Sequence, residues 1–166
     1  AVDFGDLLVA KSPGTSVNNT TRGIFQRSDT PSTPVGVMDT IIMRTLGNAT
    51  DFGDVLQSAE VQAGACNATR GILAGGYIHN VIQFITMATA GNAIDFGDMS
   101  YQANGPTGAS SKTRGLIIGG NTPTGVNNIE FVQIATTGNA VDFGDMDYLG
   151  GDVSQETTQS NAHGGI

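Results

Sequence analysis

An Asp-Phe-Gly triplet can hold magnesium when its carboxylate faces a nucleotide phosphate. This chain carries that triplet four times, each time followed by a second aspartate: Asp3-Phe4-Gly5-Asp6, Asp51-Phe52-Gly53-Asp54, Asp95-Phe96-Gly97-Asp98 and Asp142-Phe143-Gly144-Asp145. Phosphoryl transfer also needs a glycine-rich phosphate loop and a catalytic His-Arg-Asp, and the sequence has neither. Paired carboxylates such as Asp51 and Asp54 could join backbone carbonyls around calcium, but the flanking oxygen ligands of a calcium loop are missing, so no metal is expected. What remains is a turn. The first Asp accepts backbone N–H groups, the Phe inserts between neighbouring sheets, and the Gly admits a tight or positive-φ conformation.

The other groups with chemical potential lead the same way. Arg22, Arg70 and Arg114 recur at matched places. A repeated Arg suits one structural bond made in every unit, with an Asp of the motif as the expected partner; sugar or phosphate binding is the sharper alternative. His79 and His163 fall in different units, Cys66 is the single cysteine, and Tyr77, Tyr101 and Tyr148 form no cluster with them. No Ser-His-Asp set and no working carboxylate pair can be built from these spacings, so the reading is non-enzymatic, with no catalytic residues and no cofactor. One cysteine also excludes an intrachain disulfide and a cysteine-based zinc site. Asn18, Asn19, Asn48 and Asn67 open Asn-x-Thr sequons, but Asn is expected in turns there in any case.

The motifs mark a repeat. Three copies follow Gly-Asn-Ala, at Gly47-Asn48, Gly91-Asn92 and Gly138-Asn139, and between copies stands Thr-Arg-Gly plus an aliphatic residue, at Thr21–Ile24, Thr69–Ile72 and Thr113–Leu116. Cutting after each Gly-Asn gives units 1–48, 49–92 and 93–139, with a partial fourth at 140–166. All seven phenylalanines keep the register: four in the motif, Phe84 and Phe131 equivalent, and Phe25 aligned with Leu73 and Ile117. Each unit reads as a strand after the motif (Val55–Ser58), a variable loop, a short apolar strand from Arg-Gly (Ile24-Phe25, Ile72–Ala74, Leu116–Ile118) and the longest apolar strand (Val37–Arg44, Val81–Thr89, Ile129–Thr136). A fourth short strand is expected before Thr-Arg-Gly. With 24 Gly and many β-branched residues, the chain is expected to be all-β. A unit of about 45 residues cannot bury its faces alone but can against copies of itself, and the period matches propeller blades.

A net charge of −8 disfavours nucleic acid, and no apolar run reaches the roughly 18 residues of a membrane span. The opening residues already lie inside the repeat and do not read as a signal peptide.

Arg-Gly-Ile-Leu-Ala-Gly-Gly at 70–76, the apolar strand that follows and the aromatic of Asp-Phe-Gly-Asp together resemble a kelch repeat. The motif's wording is similar to repeats in virion and tail-associated proteins of marine bacteriophages, especially those of cyanobacteria. The resemblance spans essentially the whole chain. It implies kelch-like, four-stranded antiparallel propeller blades and an interaction role without a fixed partner. Departures are Gln26-Arg27 in place of the Gly pair, Thr40 in place of Phe84 and Phe131, and His163-Gly164-Gly165-Ile166 in place of Thr-Arg-Gly-Ile. Three units and a fragment fall short of the roughly four to eight blades of a ring, so the expectation is a segment of a longer array or a homo-oligomer that exchanges strands. The function expected is a virion appendage module (tail, fibre or capsid-associated), located on a virion or outside a cell. Its loops at 28–34, 77–80 and 121–127 would face a host surface, and its partners would be other virion or repeat-containing chains and a host glycan. A lectin-like propeller and an extracellular filament subunit are the alternatives.

Overall fold

The computed structural model describes residues 2–9, 12–28, 36–57, 61–77 and 79–147. Their strands form three four-stranded antiparallel sheets, and the described residues contain no helix, so none is long and apolar enough to cross a membrane. The first sheet runs β1 (Ser12–Asn18), β2 (Arg22–Ser28), β3 (Val37–Ile42), β4 (Thr50–Asp54), in spatial as in chain order. The second is β5 (Ala63–Cys66), β6 (Arg70–Ala74), β7 (His79–Thr86), β8 (Ile94–Ala103); the third is β9 (Thr107–Ser110), β10 (Arg114–Ile118), β11 (Asn128–Gln133), β12 (Val141–Asp145). The strand before Thr-Arg-Gly is present in all three as β1, β5 and β9.

Two boundaries differ from the sequence reading. Asp-Phe-Gly-Asp is itself strand; Val55–Gln57 lies beyond the end of β4, whereas β8 runs on after its motif through Met99–Ala103 as expected (residue 58 is outside the described residues). It also closes the preceding sheet, because Gly-Asn-Ala joins the long apolar strand to it as a hairpin. Each sheet therefore takes three strands from one unit and its last from the next.

The pairing explains the motif's wording. Met38 pairs with Gly53 but Asp39 with Asp51, which leaves Phe52 as the extra residue of a β-bulge. The same shift isolates Phe96 between Gly97 and Asp95, and Phe143 between Gly144 and Asp142. The glycine beside each bulge has φ of +137°, +148° and +139°, a region an L side chain rarely enters. Bulging turns the ring out of the pleat, and Phe52 and Phe96 end almost wholly buried.

The core lies between sheets. Val17, Ile24, Met38 and Phe52 of the first pack with Leu73, Ile85 and Met87 of the second, and the other face of the second, through Ile72, Ile82, Phe84 and Phe96, packs with Ile117, Val132 and Ile134 of the third. Burial on both faces of the middle sheet is why β7 reads Ile82-Gln83-Phe84-Ile85 with no exposed alternation. The edge strands β1, β5 and β9 lie side by side, and their small residues allow it: a Cβ on Gly64 would stand 2.7 Å from the Ser16 carbonyl. Gly75-Gly76 and Gly119-Gly120 break out of β6 and β10 with positive φ; in the first sheet the register puts Arg27-Ser28 there, one residue on from the expected Gln26-Arg27, and β2 runs on to Ser28.

Candidate interaction site

Asp-Phe-Gly-Asp and Gly-Asn-Ala, far apart in each unit, meet across every junction. Gly91 N–H donates to the Phe52 carbonyl (2.7 Å), Ala93 N–H to the Asp54 carbonyl (2.8 Å), and Asp54 N–H to Asn92 Oδ1 (3.0 Å). The same three bonds join Gly138-Asn139-Ala140 to Phe96 and Asp98, and Gly47-Asn48-Ala49 to Phe4 and Asp6. A Cβ on Gly53 or Gly97 would fall 2.5 Å from the opposing glycine carbonyl, so both glycines are required by close approach as well as by φ. The aspartates play smaller parts. Asp3 and Asp142 accept the N–H of Gly5 and Gly144, while Asp51, Asp54, Asp95 and Asp98 are exposed.

The repeated arginines span the same junctions, and their partners are not the expected aspartates. Arg22 Nη1 donates to the Met87 carbonyl (3.2 Å) and Arg70 Nη1 to the Ile134 carbonyl (3.0 Å), each on the following sheet. Arg70 lies 4.5 Å over the Phe84 ring and Arg114 5.1 Å over Phe131. A cation over a partly dehydrated ring contributes about 0.5–2 kcal/mol. Thr40 removes that ring from the first sheet, and Arg22 leans over Phe52 instead, at 5.7 Å. Phe84 and Phe131 also meet the bulge rings Phe96 and Phe143 edge-on, at 6.0 and 6.1 Å.

A third contact went unnoticed in the sequence. Asp39, Gln83 and Glu130 occupy one register position at the bulge and are all buried. Gln83 and Glu130 reach the segment that follows Asp-Phe-Gly-Asp in the preceding module, whereas Asp39 faces Arg27 of its own sheet. Gln83 Oε1 accepts from Leu56 and Gln57 N–H (2.6 and 3.2 Å) and its Nε2 returns a bond to the Gln57 carbonyl. The Glu130 carboxylate accepts from Ser100 N–H (3.2 Å) and the Ser100 hydroxyl. Asp39 pairs with Arg27 at 3.3 Å; burial raises its carboxyl pKa above the ordinary value, opposed by the Arg27 guanidinium and the Leu8 amide. The shared signal is polarity inside an apolar strand, and it hides because the residue differs each time.

A concave surface lies at the end of the sheets where β1, β5 and β9 turn into β2, β6 and β10. These turns are Asx and Ser turns: Asn19 Oδ1 accepts from Thr21 and Arg22 N–H, Asn67 Oδ1 from Thr69 and Arg70, and Ser111 Oγ from Thr113 and Arg114. Asn19 Nδ2 passes a bond to the Ala68 carbonyl and Asn67 Nδ2 one to Lys112, linking the turns in a row. Together they enclose a funnel of about 490 Å³ with a lining of hydroxyls, amides, Cys66 and Lys112. None of its described lining residues is aromatic, carboxylate or histidine. Cys66 Sγ is engaged with the Asn18 carbonyl at 3.0 Å. The variable loops lie at the opposite end, since each joins the second strand of a sheet to its third. Tyr77 stands exposed there, and Asn121 bridges to Asn104 and Gly125; residues 29–35 and 78 are outside the described residues.

Tyr101, whose pKa is raised by burial and by Glu130, donates its hydroxyl to the Gly119 carbonyl (3.0 Å). His79 Nε2 lies 3.3 Å from Gln57 Nε2. Among the described residues no group of three or more His, Cys, Asp or Glu side chains could hold a metal; His163, Tyr148 and the partial fourth unit from 148 onward lie outside them. No family model matches the chain, and no curated protein matches it.

Proposed function

We propose that this chain is a non-enzymatic structural and interaction module: kelch-like propeller blades on a virion appendage that present their variable loops to a host surface. The observation that carries the non-enzymatic part is where the polar residues go. The motif backbone, Arg22 and Arg70, and the buried Gln83 and Glu130 join one sheet to the next, and buried Asp39 pairs with Arg27 within its own sheet. The virion setting follows from the wording of the repeat. The loop role follows from the contrast between the two ends of the sheets, one built from near-identical turns and the other from loops unlike in length and sequence.

Adsorption of the parent particle tests it. Purified chain added in excess is expected to compete with particles for host cells. A chain with 121–127 replaced by a Gly-Ser loop is expected to compete at least about tenfold less well. Equal competition by both, or none by either, would refute the loop assignment. The lectin reading draws on the funnel, which offers hydroxyls and amides beside apolar groups but no described ring on which a sugar could stack. A glycan array probed with wild type and Lys112→Ala separates the two readings.

A further inference from the structure

Tyr77 stands in a backbone conformation that suits it poorly, with a side chain the core does not use. It follows Gly75 and Gly76, both at positive φ, and its own φ of +42° lies where residues other than Gly, Asn and Asp seldom go. Three main-chain bonds hold the turn: Gly75 N–H to the Val81 carbonyl, Gly76 N–H to Ala103 and His79 N–H to Gly76. A return to β7 as short as this one calls for a third left-handed residue, and Gly or Asn would enter it without strain. At the corresponding Gly119-Gly120 turn of the third sheet the next residue is Asn121. The Tyr77 side chain is 61% exposed, so packing does not select it either. A strained and exposed aromatic is accounted for by a contact outside the chain.

The surroundings identify the class of contact. The bond from Gly76 to Ala103 sets Tyr77 beside Asn104, and Asn104 exchanges both main-chain bonds with Asn121, each at 2.9 Å. Tyr77, Asn104 and the 121–124 segment thus share one rim drawn from the second and third sheets. Asn104 and Thr124 are exposed, and the described loop residues 75–77, 104–106 and 119–127 include no Asp, Glu, Lys or Arg, in a chain of net charge −8. An anionic ligand would meet no cation among them, and a cationic one no carboxylate. Tyr77 is also the single large hydrophobic exposed among these residues, too little for an apolar protein face. A neutral sugar fits both features. Its C–H face lies on a tyrosine ring, and its hydroxyls bond to amides and hydroxyls around the ring.

We infer that this rim binds a neutral glycan, with Tyr77 as the stacking platform and Asn104 and Thr124 as hydrogen-bonding groups. The inference rests on the proposal that this end of the sheets faces a host, and it names what is met there. It sets the sugar at the opposite end of the sheets from the funnel.

An array of neutral, sialylated and sulfated glycans, probed with the full chain, tests this. Wild type is expected to retain neutral glycans at least about tenfold better than charged ones. Tyr77→Asn supplies a residue suited to positive φ, so it is expected to melt no lower than wild type while losing at least about tenfold in retention. Tyr77→Phe keeps the ring and is expected to stay within about threefold of wild type. Lys112→Ala, at the funnel, is expected to bind as wild type does. No neutral glycan retained, charged glycans preferred, full retention by Tyr77→Asn, or loss by Lys112→Ala would each overturn the inference. Host cells separate its failure from failure of the reading beneath it. Wild-type chain that competes with particles for untreated cells, but not for cells whose sugar diols have been cleaved by periodate, supports both. Competition that survives periodate and is abolished by protease treatment of the cells would leave the loops facing a host and overturn the glycan. No competition on untreated cells, with Tyr77-dependent retention on the array, would overturn the host reading and leave the sugar site standing.

Discussion

Gly97 and Gly144 form a natural comparison, because they share a motif, a bulge and a φ of +148° or +139°, while among the described residues only Gly97 has a neighbouring module against it. Alanine at either position meets the unfavourable φ, at about 1–2 kcal/mol. At Gly97 the new Cβ would also fall 2.5 Å from Gly138 backbone carbon and oxygen. Backbone cannot rotate away as a side-chain tip can, so the junction must open by the better part of an ångström. Three bonds then lengthen together: Gly138 N–H to Phe96, Ala140 N–H to Asp98 and Asp98 N–H to Asn139. At about 1 kcal/mol each, with partial rescue by water, that adds roughly 2–3 kcal/mol. Gly97→Ala is thus expected to destabilise by about 3–5 kcal/mol and Gly144→Ala by about 1–2 kcal/mol. Urea denaturation followed by circular dichroism, at concentrations where the chain is monomeric, measures the difference. Hydrogen exchange would place the loss at the Gly138 and Ala140 amides. Equal destabilisation by the two substitutions would show that φ alone selects these glycines and that the close approach contributes nothing.

Glu130→Ala, which strands the Ser100 amide and hydroxyl, is expected to cost about 2–4 kcal/mol, and Glu130→Gln less than about 1 kcal/mol because Gln83 does the same work one sheet earlier; urea midpoints compare them. Arg70→Met keeps the stem over Phe84 but loses the bond to the Ile134 carbonyl, and about 1–2 kcal/mol of thermal stability should go with it. Asp39 gives a pH signature. Its folded pKa is raised above 3.8, so the folded state binds the proton more tightly and stability falls as pH rises from that value through the raised one. Asp39→Asn removes that fall; melting at pH 3 and pH 7 should show the variant gaining on wild type at the higher pH, and parallel profiles would contradict the assignment.

Much of the fold was legible because the repeat aligned its own copies. Seven phenylalanines in register and recurrent Gly-Asn and Arg-Gly pairs fixed where strands begin and turn. What a repeat cannot show is its phase. Asp-Phe-Gly-Asp opens a unit or closes one with equal justice on paper, and the hairpin at Gly-Asn-Ala decides for the latter. The partners of the arginines were illegible for another reason: they bond to carbonyls of Met87 and Ile134, and a carbonyl leaves no trace in residue type. Asp39, Gln83 and Glu130 were legible in principle, as a polar position inside an apolar strand, but identity was the signal followed and here it is absent.

That contrast says how the junction is specified. Where main chain meets main chain, as Gly53 meets Gly91, no side chain fits and the peptide Asp-Phe-Gly-Asp recurs unchanged through every module. Where a side chain reaches back to an amide, a buried acceptor of suitable length serves, so a glutamine and a glutamate stand in for one another. Sequence identity in this chain therefore marks the tightest backbone contacts, and it repeats for steric reasons with no catalytic demand upon it. The residues that differ most from module to module are the loop positions at the far end of the sheets, such as 122–124 and Tyr77.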